Sequence, residues 1–559
     1  NRKPKTENRK PKTENQLMPQ ARNNTLLLLI YLAILAVASL LTRGLIPVDE
    51  TRYTTVAWEM WLRGDLLVPY LNGEPYSHKP PLLFWLIQIG WKLFGVNEWW
   101  PRLIPFIFSF GALLLVQQLG RKLWPETSAW MMAPFITLGF TLWAFFSTAV
   151  MFDMMLTFFV LLAITGIHRI FSGSSNRWWL LVGVAWGLGM LSKGPVIFVH
   201  TLPLLVFARY WMPPAVIISW KQVLAGLFIA LVIAAGLIFA WVIPATISGG
   251  EEYAQSLLFG QNVQRALKAP NDALPWWYYI AFMPFILFPW VYWGGSWKAL
   301  LKSSPENTSK TDMGGRFSLA WALPVLLLFT LISGKKVHYL LPMLPAVALY
   351  LSSLLERRKE QGGCGEMLPL TLIYFIVALL IAGLPFIYGP AEKPYWIQNV
   401  SIYAFIPFVA VAAAGQYFVR GEQLNRVRMI SLQTVFLLVV AHITLFIPAA
   451  TGYDMKPIAT EIARLQDEDH NIAHNGKYRG EYHFLGRLTE SFDVVYDHTE
   501  QQWMAEHPEG YVIGYRYELC GEQQQPVVYQ RLFRNGQCVT IRTSAQQMEF
   551  LEQRNRIKD

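Results

Sequence analysis

The sequence has few charged residues and few cysteines. Only 15% of its 559 residues are Asp, Glu, Lys or Arg, whereas soluble globular domains average about 25%. Its 3 cysteines cannot build a disulfide-dense scaffold. With 53% apolar and 14% aromatic residues, the chain would collapse in water, which excludes a disordered protein, a coiled coil and a collagen-like fibre. The composition therefore predicts a membrane protein.

Nucleotide-binding signatures are also missing. The sequence contains no Walker A run, no G-x-G-x-x-G after a strand and no kinase loop set. The formal charge of +10 does not indicate a nucleic-acid partner, because the unit NRKPKTE, written twice within residues 1–15, supplies six basic and two acidic residues. We set residues 1–15 aside from the fold argument. Energy for any reaction must then come with the substrate.

Long apolar runs predict an α-helical, polytopic protein with about thirteen transmembrane helices, since one crossing needs roughly 20 apolar residues. The predicted spans are 25–45, 101–119, 127–148, 153–171, 178–192, 194–211, 222–247, 276–294, 317–333, 338–354, 368–388, 400–418 and 430–448. Residues 1–24 are expected to form a cytoplasmic tail. The first run, Leu26–Leu41, has no cleavage motif after it and is expected to be a retained anchor.

Lys and Arg in the short connections set the orientation. With a cytoplasmic N-terminus most of them fall inside, and only Lys193, Lys335, Lys336 and Lys393 fall outside. Three long segments are then also outside, namely 46–100, 248–275 and the tail after 449. The membrane domain is predicted at 25–449.

The outer segments differ in composition. Segment 46–100 contains two helices, at 50–64 and 80–95, whose Trp and Tyr content favours the membrane interface. The tail alternates helix-like stretches (457–467, 478–488, 499–508) with strand-like ones (471–474, 493–496, 511–517), and it closes with a hairpin around Asn535-Gly536. This pattern predicts a small α/β domain at 450–559.

The cysteines fit this map. Cys364 falls inside, where a reducing environment keeps a thiol unpaired, whereas Cys520 and Cys538 fall in the outer domain. These two either form a disulfide or remain buried thiols, because sequence alone does not fix the distance between them.

Asp49 and Arg52 follow the first span directly. They are three residues apart, so on a helix they share one face and can serve one site. The alternative is an ordinary solvated loop, since a charge costs little at the water boundary.

Lys79 precedes a proline pair, which favours an extended backbone and a following helix start. A lysine there can bind an anion, or it can anchor the chain to lipid headgroups. His78 is a weak metal candidate, because no His, Cys or Asp at ligand spacing lies nearby.

Asp153 lies in a very short outer loop between two spans. A carboxylate at membrane depth is costly and is a functional candidate by default. The alternative is an N-cap for the helix that starts there.

The remaining outer candidates are expected on the same membrane face. They are Lys193, Lys336, His338, Tyr339 and Arg265, with His200, Trp276 and Trp277 less directly placed. Such a site suits a substrate with an anionic headgroup and an apolar tail, such as a polyprenyl-phosphate sugar, because cations stabilise the phosphate that leaves. An alcohol acceptor would need a general base such as Asp49, whereas a phosphate acceptor needs only positioning.

The run from Asp49 to Trp85, together with SKGP and KKVHYLLP, resembles the bacterial C-type glycosyltransferases of the protein-mannosyltransferase-like family. The resemblance implies the GT-C fold and roles for matching residues. The acidic residues fall on Asp49 and Asp153, the phosphate-binding residues on Arg52 and Lys79, and the late-loop Tyr on Tyr339. Several relatives have an acidic residue where this chain has His78, which weakens an inherited metal site.

Within the family, the chain is most similar to the branch that modifies lipid A. The resemblance implies transfer of 4-amino-4-deoxy-L-arabinose from undecaprenyl phosphate to a lipid A phosphate, with inversion, by a monomer on the periplasmic face of the bacterial inner membrane. No cofactor is required, and a divalent metal is left open. The alternatives are a transferase acting on a protein or glycan hydroxyl, and a lipid or sugar flippase. A flippase is disfavoured because no internal repeat is found.

Overall fold

The computed structural model describes residues 14–260, 274–301, 312–358, 363–387, 397, 399–516, 527–534 and 537–558. Arg265, Lys393, Cys520 and the Asn535-Gly536 turn lie outside these residues, as does the side chain of Cys364.

The described parts of the membrane domain are helical apart from one short β-hairpin, which confirms the predicted fold class. Its α-helices are α1 (Glu14–Thr42), α2 (Asp49–Arg63), α3 (Leu82–Phe94), α4 (Trp99–Leu123), α5 (Ala129–Gly139), α6 (Thr141–Phe146), α7 (Asp153–Phe171), α8 (Trp178–Lys193), α9 (Val196–Val206), α10 (Ala208–Trp211), α11 (Trp220–Gln255), α12 (Tyr278–Ile286), α13 (Gly294–Leu301), α14 (Met313–Leu331), α15 (Leu344–Arg357), α16 (Leu368–Ile387), α17 (Phe405–Phe418), α18 (Gln423–Ala441) and α19 (Ile447–Ala450).

Within the described ranges, 7 helical segments are long and apolar enough to cross a membrane. They are Gln20–Thr42, Trp99–Leu123, Asp153–Phe171, Trp220–Leu258, Met313–Leu331, Val337–Arg357 and Gln423–Ala450. Shorter helices occupy the other predicted spans; for example, α5 and α6 together fill 127–148. In α11, Gly250 has a non-helical backbone (φ 79°, ψ 177°), so the element consists of two helices joined by a kink, and the first ends close to the predicted boundary at 247.

The two helices expected in the first outer segment are α2 and α3. Between them, β1 (Tyr70–Leu71) pairs with β2 (Glu74–Pro75). The turn of this hairpin is held from α2, where the Glu59 carboxylate accepts hydrogen bonds from the backbone N–H groups of Asn72 (2.7 Å) and Gly73 (2.9 Å). Both turn residues have positive φ.

The C-terminal domain is a five-stranded sheet with helices α20 (Lys456–Asp467), α21 (His483–Gly486), α22 (Glu500–Glu506) and α23 (Ser544–Lys558). Its strands are β3 (Ile472–Asn475), β4 (Asp493–Val495), β5 (Tyr511–Arg516), β6 (Tyr529–Phe533) and β7 (Gln537–Thr543), in the order β4-β3-β5-β7-β6. β3 is parallel to β4 and β5, and β7 is antiparallel to β5 and β6. The predicted closing hairpin is therefore present as β6 and β7.

The helix expected at 478–488 was predicted too long, since α21 is a single turn. Gly480 has a φ of 83° and interrupts the helical backbone. The hydroxyl of Tyr478 then accepts hydrogen bonds from the N–H groups of Tyr482 (3.1 Å) and His483 (3.2 Å). A side chain thus satisfies the donors that begin the turn.

The C-terminal domain is hydrogen-bonded to α2 and to the hairpin that follows it. The hydroxyl of Thr55 donates to the Gly480 carbonyl (3.1 Å) and accepts from the Phe484 N–H (3.3 Å). The Asn72 side chain exchanges two hydrogen bonds, each 2.9 Å, with the backbone of Phe492. A Cβ at Gly480 would lie 3.0 Å from the Cα of Arg52. The domain thus packs directly against the helix that carries Asp49 and Arg52.

Candidate active site

Asp49 and Arg52 form an ion pair on the first turn of α2. Their spacing of three residues brings the two charges to the same helix face, as the sequence predicts. The hydroxyl of Tyr53 donates to the same carboxylate oxygen (3.2 Å). The side chain of Asp49 is 50% exposed, so this carboxylate is oriented by two donors and remains accessible to a ligand.

Asp153 and Lys193 form a second ion pair, with Nζ 2.6 Å from the carboxylate. Their side chains are 3% and 10% exposed. The N-cap residue of α7 is Phe152, and no side chain forms a capping hydrogen bond at this helix end. Asp153 therefore pairs with a cation and does not act as the helix cap that was the alternative prediction. The ammonium also lies 5.2 Å from the ring centroid of Tyr339.

His338 lies within electrostatic range of both ion pairs. It interacts electrostatically with Asp153, Lys193, Asp49 and Lys79. These five residues come from α2, the turn before α3, α7, α8 and the 3-10 helix Val337–Met343. Groups that are far apart in the chain therefore form one cluster at the same end of the membrane domain.

Aromatic rings form one wall of this cluster. The ring of Phe152 meets those of Tyr53 (4.8 Å between centroids) and Phe84 (5.8 Å). The ammonium of Lys79 lies 5.8 Å from the centroid of Phe152, and His338 packs against Phe146 at 5.4 Å. Apolar walls reduce water access, so charges here interact more strongly than they would in bulk water.

The cluster has an excess of positive charge. Arg52, Lys79 and Lys193 face two carboxylates, those of Asp49 and Asp153. Burial and the neighbouring Asp49 raise the pKa of the Tyr53 hydroxyl well above its usual value, so this group stays protonated and acts as a donor. These five side chains together carry one net positive charge, which favours an anion.

Two lysines precede His338 in the loop that carries it. Lys336 is exposed, and its carbonyl accepts from the hydroxyl of Tyr279 (3.1 Å). Lys335 is buried, and its ammonium donates to the carbonyls of Leu274 (2.9 Å) and Ile332 (2.6 Å). A substrate-binding role for Lys336 stays a prediction, as does that of Arg265, which lies outside the described residues.

Sequence patterns provided weaker reasons to expect His200, Trp276 and Trp277 on the outer membrane face. His200 is completely buried, with its ring 5.2 Å from that of Phe329. Trp276 and Trp277 are both more than half exposed, as expected of residues at a membrane interface.

The described residues contain no group of three or more His, Cys, Asp or Glu side chains that could hold a metal ion. The ring of His78 instead packs against Tyr76, with centroids 5.0 Å apart. In the C-terminal domain, Cys538 is disulfide-bonded. Its pairing with Cys520 stays a prediction, because Cys520 lies outside the described residues.

Sequence analysis missed a buried ion pair beside the cluster. The carboxylate of Glu50 lies 2.5 Å from the guanidinium of Arg43 and accepts from the N–H groups of Ile46 (2.8 Å) and Val150 (2.7 Å). This network ties the end of α1 to the loop that carries Asp153. Helical spacing does not reveal the pair, because Arg43 follows the end of α1 whereas Glu50 lies in α2, and Val150 lies 100 residues from Glu50.

Comparisons with known proteins identify related sequences and folds. Residues 78–241 match the family model described as dolichyl-phosphate-mannose-protein mannosyltransferase. The chain is 28% identical over 382 residues to the undecaprenyl phosphate-alpha-4-amino-4-deoxy-L-arabinose arabinosyl transferase 1 of Pseudomonas fluorescens Pf-5, covering 67% of each chain. It is 27% identical to the enzyme of the same name from Pseudomonas aeruginosa PAO1, covering 70% of each. With the enzyme from Pseudomonas paraeruginosa PA7, the alignment spans 60% of each chain.

The fold is similar to that of a solved membrane enzyme. ArnT from Cupriavidus metallidurans in the apo state superposes with a TM-score of 0.71 at 17% identity, covering 93% of this chain and 98% of that one. A second structure of the same protein, bound to undecaprenyl phosphate, gives a TM-score of 0.69. The chain therefore has the GT-C fold, and its sequence is similar to those of the aminoarabinose transferases.

Proposed function

We propose that the chain transfers 4-amino-4-deoxy-L-arabinose from undecaprenyl phosphate to a phosphate of lipid A, with inversion at the anomeric carbon. The observation that carries the proposal is the cluster itself, in which Arg52, Lys79 and Lys193 surround two carboxylates at one end of the membrane domain. The names of the relatives and the undecaprenyl phosphate bound to a structural neighbour support the same donor.

The cations serve the phosphate of the donor. In a single displacement, the bond between the anomeric carbon and the donor phosphate oxygen breaks, and undecaprenyl phosphate leaves with both electrons. An oxygen of the lipid A phosphate forms the new bond from the opposite side, which inverts the configuration. The leaving phosphate gains negative charge, so Arg52 and Lys79, with Lys193 and Tyr339 beside them, bind it more strongly in the transition state than in the donor.

Asp49 serves the sugar rather than the nucleophile in this scheme. A phosphate acceptor is already ionised and needs no general base. The Asp49 carboxylate is oriented by Arg52 and Tyr53 and is half exposed, so it can accept a hydrogen bond from the ammonium group of the aminoarabinose. For a hydroxyl acceptor on a protein or glycan, the same carboxylate would instead remove a proton.

The proposal requires no cofactor, because the donor is already activated. The proposed enzyme acts as a monomer. The distribution of Lys and Arg in the short loops supports a periplasmic position for the cluster and the C-terminal domain, at the bacterial inner membrane.

Mass spectrometry of lipid A from cells with and without the gene tests the acceptor and the sugar together. We expect a pentosamine on a lipid A phosphate only when the gene is present. Identical lipid A profiles would overturn the lipid A assignment, and a pentose found on protein or glycan hydroxyls would favour the second candidate.

A further inference from the structure

A second cluster of charges lies at the opposite face of the membrane domain. The segment Val337–Arg357 is long and apolar enough to cross a membrane, and it runs from His338 in the candidate active site to Arg357. The segment Gln423–Ala450 is also long enough to cross, and it ends just before the C-terminal domain. Arg358 and Arg426 therefore lie about one bilayer thickness from the candidate active site.

These two arginines surround one carboxylate. Glu366 forms ion pairs with Arg358, with Arg426 (2.7 Å) and with Lys298 (3.2 Å). The side chains of Glu366, Arg426 and Arg358 are 0%, 1% and 4% exposed, whereas that of Lys298 is 50% exposed. The guanidinium of Arg426 also lies over the ring of Trp293, 5.1 Å from its centroid.

The charges of this cluster do not balance. Burial alone would raise the pKa of the Glu366 carboxyl, but the hydrogen bonds from Arg358 and Arg426 lower it to about 2. Among the residues that the structure describes, one carboxylate therefore faces three cations, which leaves two positive charges in excess. Burying an unbalanced charge is costly unless another ion compensates it.

The arginines also retain unused hydrogen-bond donors. Among the described residues, Nε and Nη1 of both Arg358 and Arg426 are buried without an acceptor. A guanidinium presents its donors as a planar fork that matches the oxygens of a phosphate. The half-exposed Lys298 adds a third cation at the side of the cluster that solvent or lipid headgroups can reach.

We infer that Arg358, Arg426 and Lys298 form a binding site for a phosphate group at the membrane face opposite the active site. The excess of positive charge matches the charge of such a group, and the unpaired donors match its oxygens. Two sources supply this chemistry, the headgroup of an anionic phospholipid and inorganic phosphate. Basic pockets between transmembrane helices bind lipid headgroups in this way.

The test uses the full chain, purified and stripped of lipid in neutral detergent. Native mass spectrometry measures the retention of added phosphatidylglycerol against that of phosphatidylcholine, and thermal unfolding measures protection by inorganic phosphate. The variants are Arg358→Gln and Lys298→Gln. The matched control is Arg420→Gln, which removes an exposed cation that precedes α18 and lies 5.0 Å from the ring of Tyr417.

We expect each variant to weaken phosphatidylglycerol binding by about tenfold or more, and the control to bind as the unaltered protein does. Protection by inorganic phosphate without lipid retention, lost in the same variants, would assign the site to a soluble anion. Equal binding of both ligands by Lys298→Gln and the unaltered protein would overturn the inference. Lys298→Gln leaves both ion pairs between Glu366 and the arginines in place, so we expect this variant to fold. It therefore tests the inference even if Arg358→Gln fails to fold.

The inference does not depend on the proposed reaction. Sugar transfer by Lys298→Gln, measured with saturating donor, should match that of the unaltered protein. Loss of lipid binding with normal transfer therefore separates this site from the active site.

Discussion

Asp153 and Lys193, forty positions apart in the chain, form an ion pair of 2.6 Å at the mouth of the candidate active site. The pair is almost fully buried, and its ammonium also faces the ring of Tyr339. It thus joins the start of α7 to the end of α8 and fixes one wall of the site. Because both charges are dehydrated, neither can be removed alone without leaving the other uncompensated.

This pair gives the first prediction. Lys193→Met should lower the free energy of unfolding by about 3–5 kcal/mol, because it leaves a buried carboxylate without a partner. Denaturation in a graded series of detergent mixtures measures the change. The double variant Asp153→Leu with Lys193→Met should recover most of the stability but not the transfer activity. A single variant as stable as the unaltered protein would contradict the structural role of the pair.

The second prediction concerns Asp49. If its carboxylate binds the amine of the sugar, Asp49→Asn should lower kcat/KM by about 10- to 100-fold, the loss expected for one charge-assisted hydrogen bond. The same variant should show little change with a donor that carries a neutral pentose. Steady-state kinetics with the two donors makes the comparison. An equal loss with both donors would instead assign Asp49 the role of general base.

The third prediction concerns the contact between α2 and the C-terminal domain. Thr55→Val removes the hydroxyl that bonds both Gly480 and Phe484. Each buried group left unpaired costs about 1–3 kcal/mol. We expect faster amide exchange over 480–488 and a higher KM for the donor, because Arg52 packs against Gly480.

The control for this variant is Thr246→Val. The hydroxyl of Thr246 bonds only to carbonyls of its own helix, those of Val242 and Ile243. It should change neither amide exchange over 480–488 nor KM. If Thr55→Val also leaves both unchanged, the domain contact does not position Arg52.

The fourth prediction is a pH dependence of the C-terminal domain. Burial lowers the pKa of His474 and of His483 from 6.5 to about 4. Between these pH values the unfolded chain binds more protons than the folded domain, so stability falls as the pH is lowered. At pH 5.5 each histidine should contribute a loss on the order of 1 kcal/mol relative to pH 7.5.

Amide exchange of residues 472–495 in the full chain, corrected for the intrinsic effect of pH, measures this loss. His483→Gln keeps a polar side chain but cannot titrate, so its stability should depend less on pH. The same slope in the variant and the unaltered protein would show that His483 does not cause the effect.

Much of the membrane domain could be predicted from the sequence, because each crossing requires a long apolar run. The ion pair of Asp49 with Arg52 followed from helical spacing. The same reasoning, applied to residues four apart, could have predicted the hydrogen bond from Tyr53 to Asp49. The hairpin of β6 and β7 followed from alternating residues around a turn signal. These features depend on local pattern alone.

Other features depend on tertiary contacts that the sequence does not encode locally. The carboxylate of Asp153 could equally have capped its helix until the structure placed Lys193 beside it. The pair of Arg43 with Glu50 depends on backbone groups of a distant loop. The helix expected at 478–488 is short because the hydroxyl of Tyr478 replaces a backbone acceptor. The pattern of apolar residues along the sequence does not indicate this replacement.

The most direct test of the central claim is the affinity of the full-length protein for undecaprenyl phosphate. Arg52 and Lys79 come from separate elements but are proposed to bind one phosphate, so Arg52→Gln and Lys79→Met should each weaken binding by about tenfold or more. The control Lys92→Met, an exposed cation at the end of α3, should bind as the unaltered protein does. Undiminished binding by the double variant Arg52→Gln with Lys79→Met would contradict a shared phosphate site.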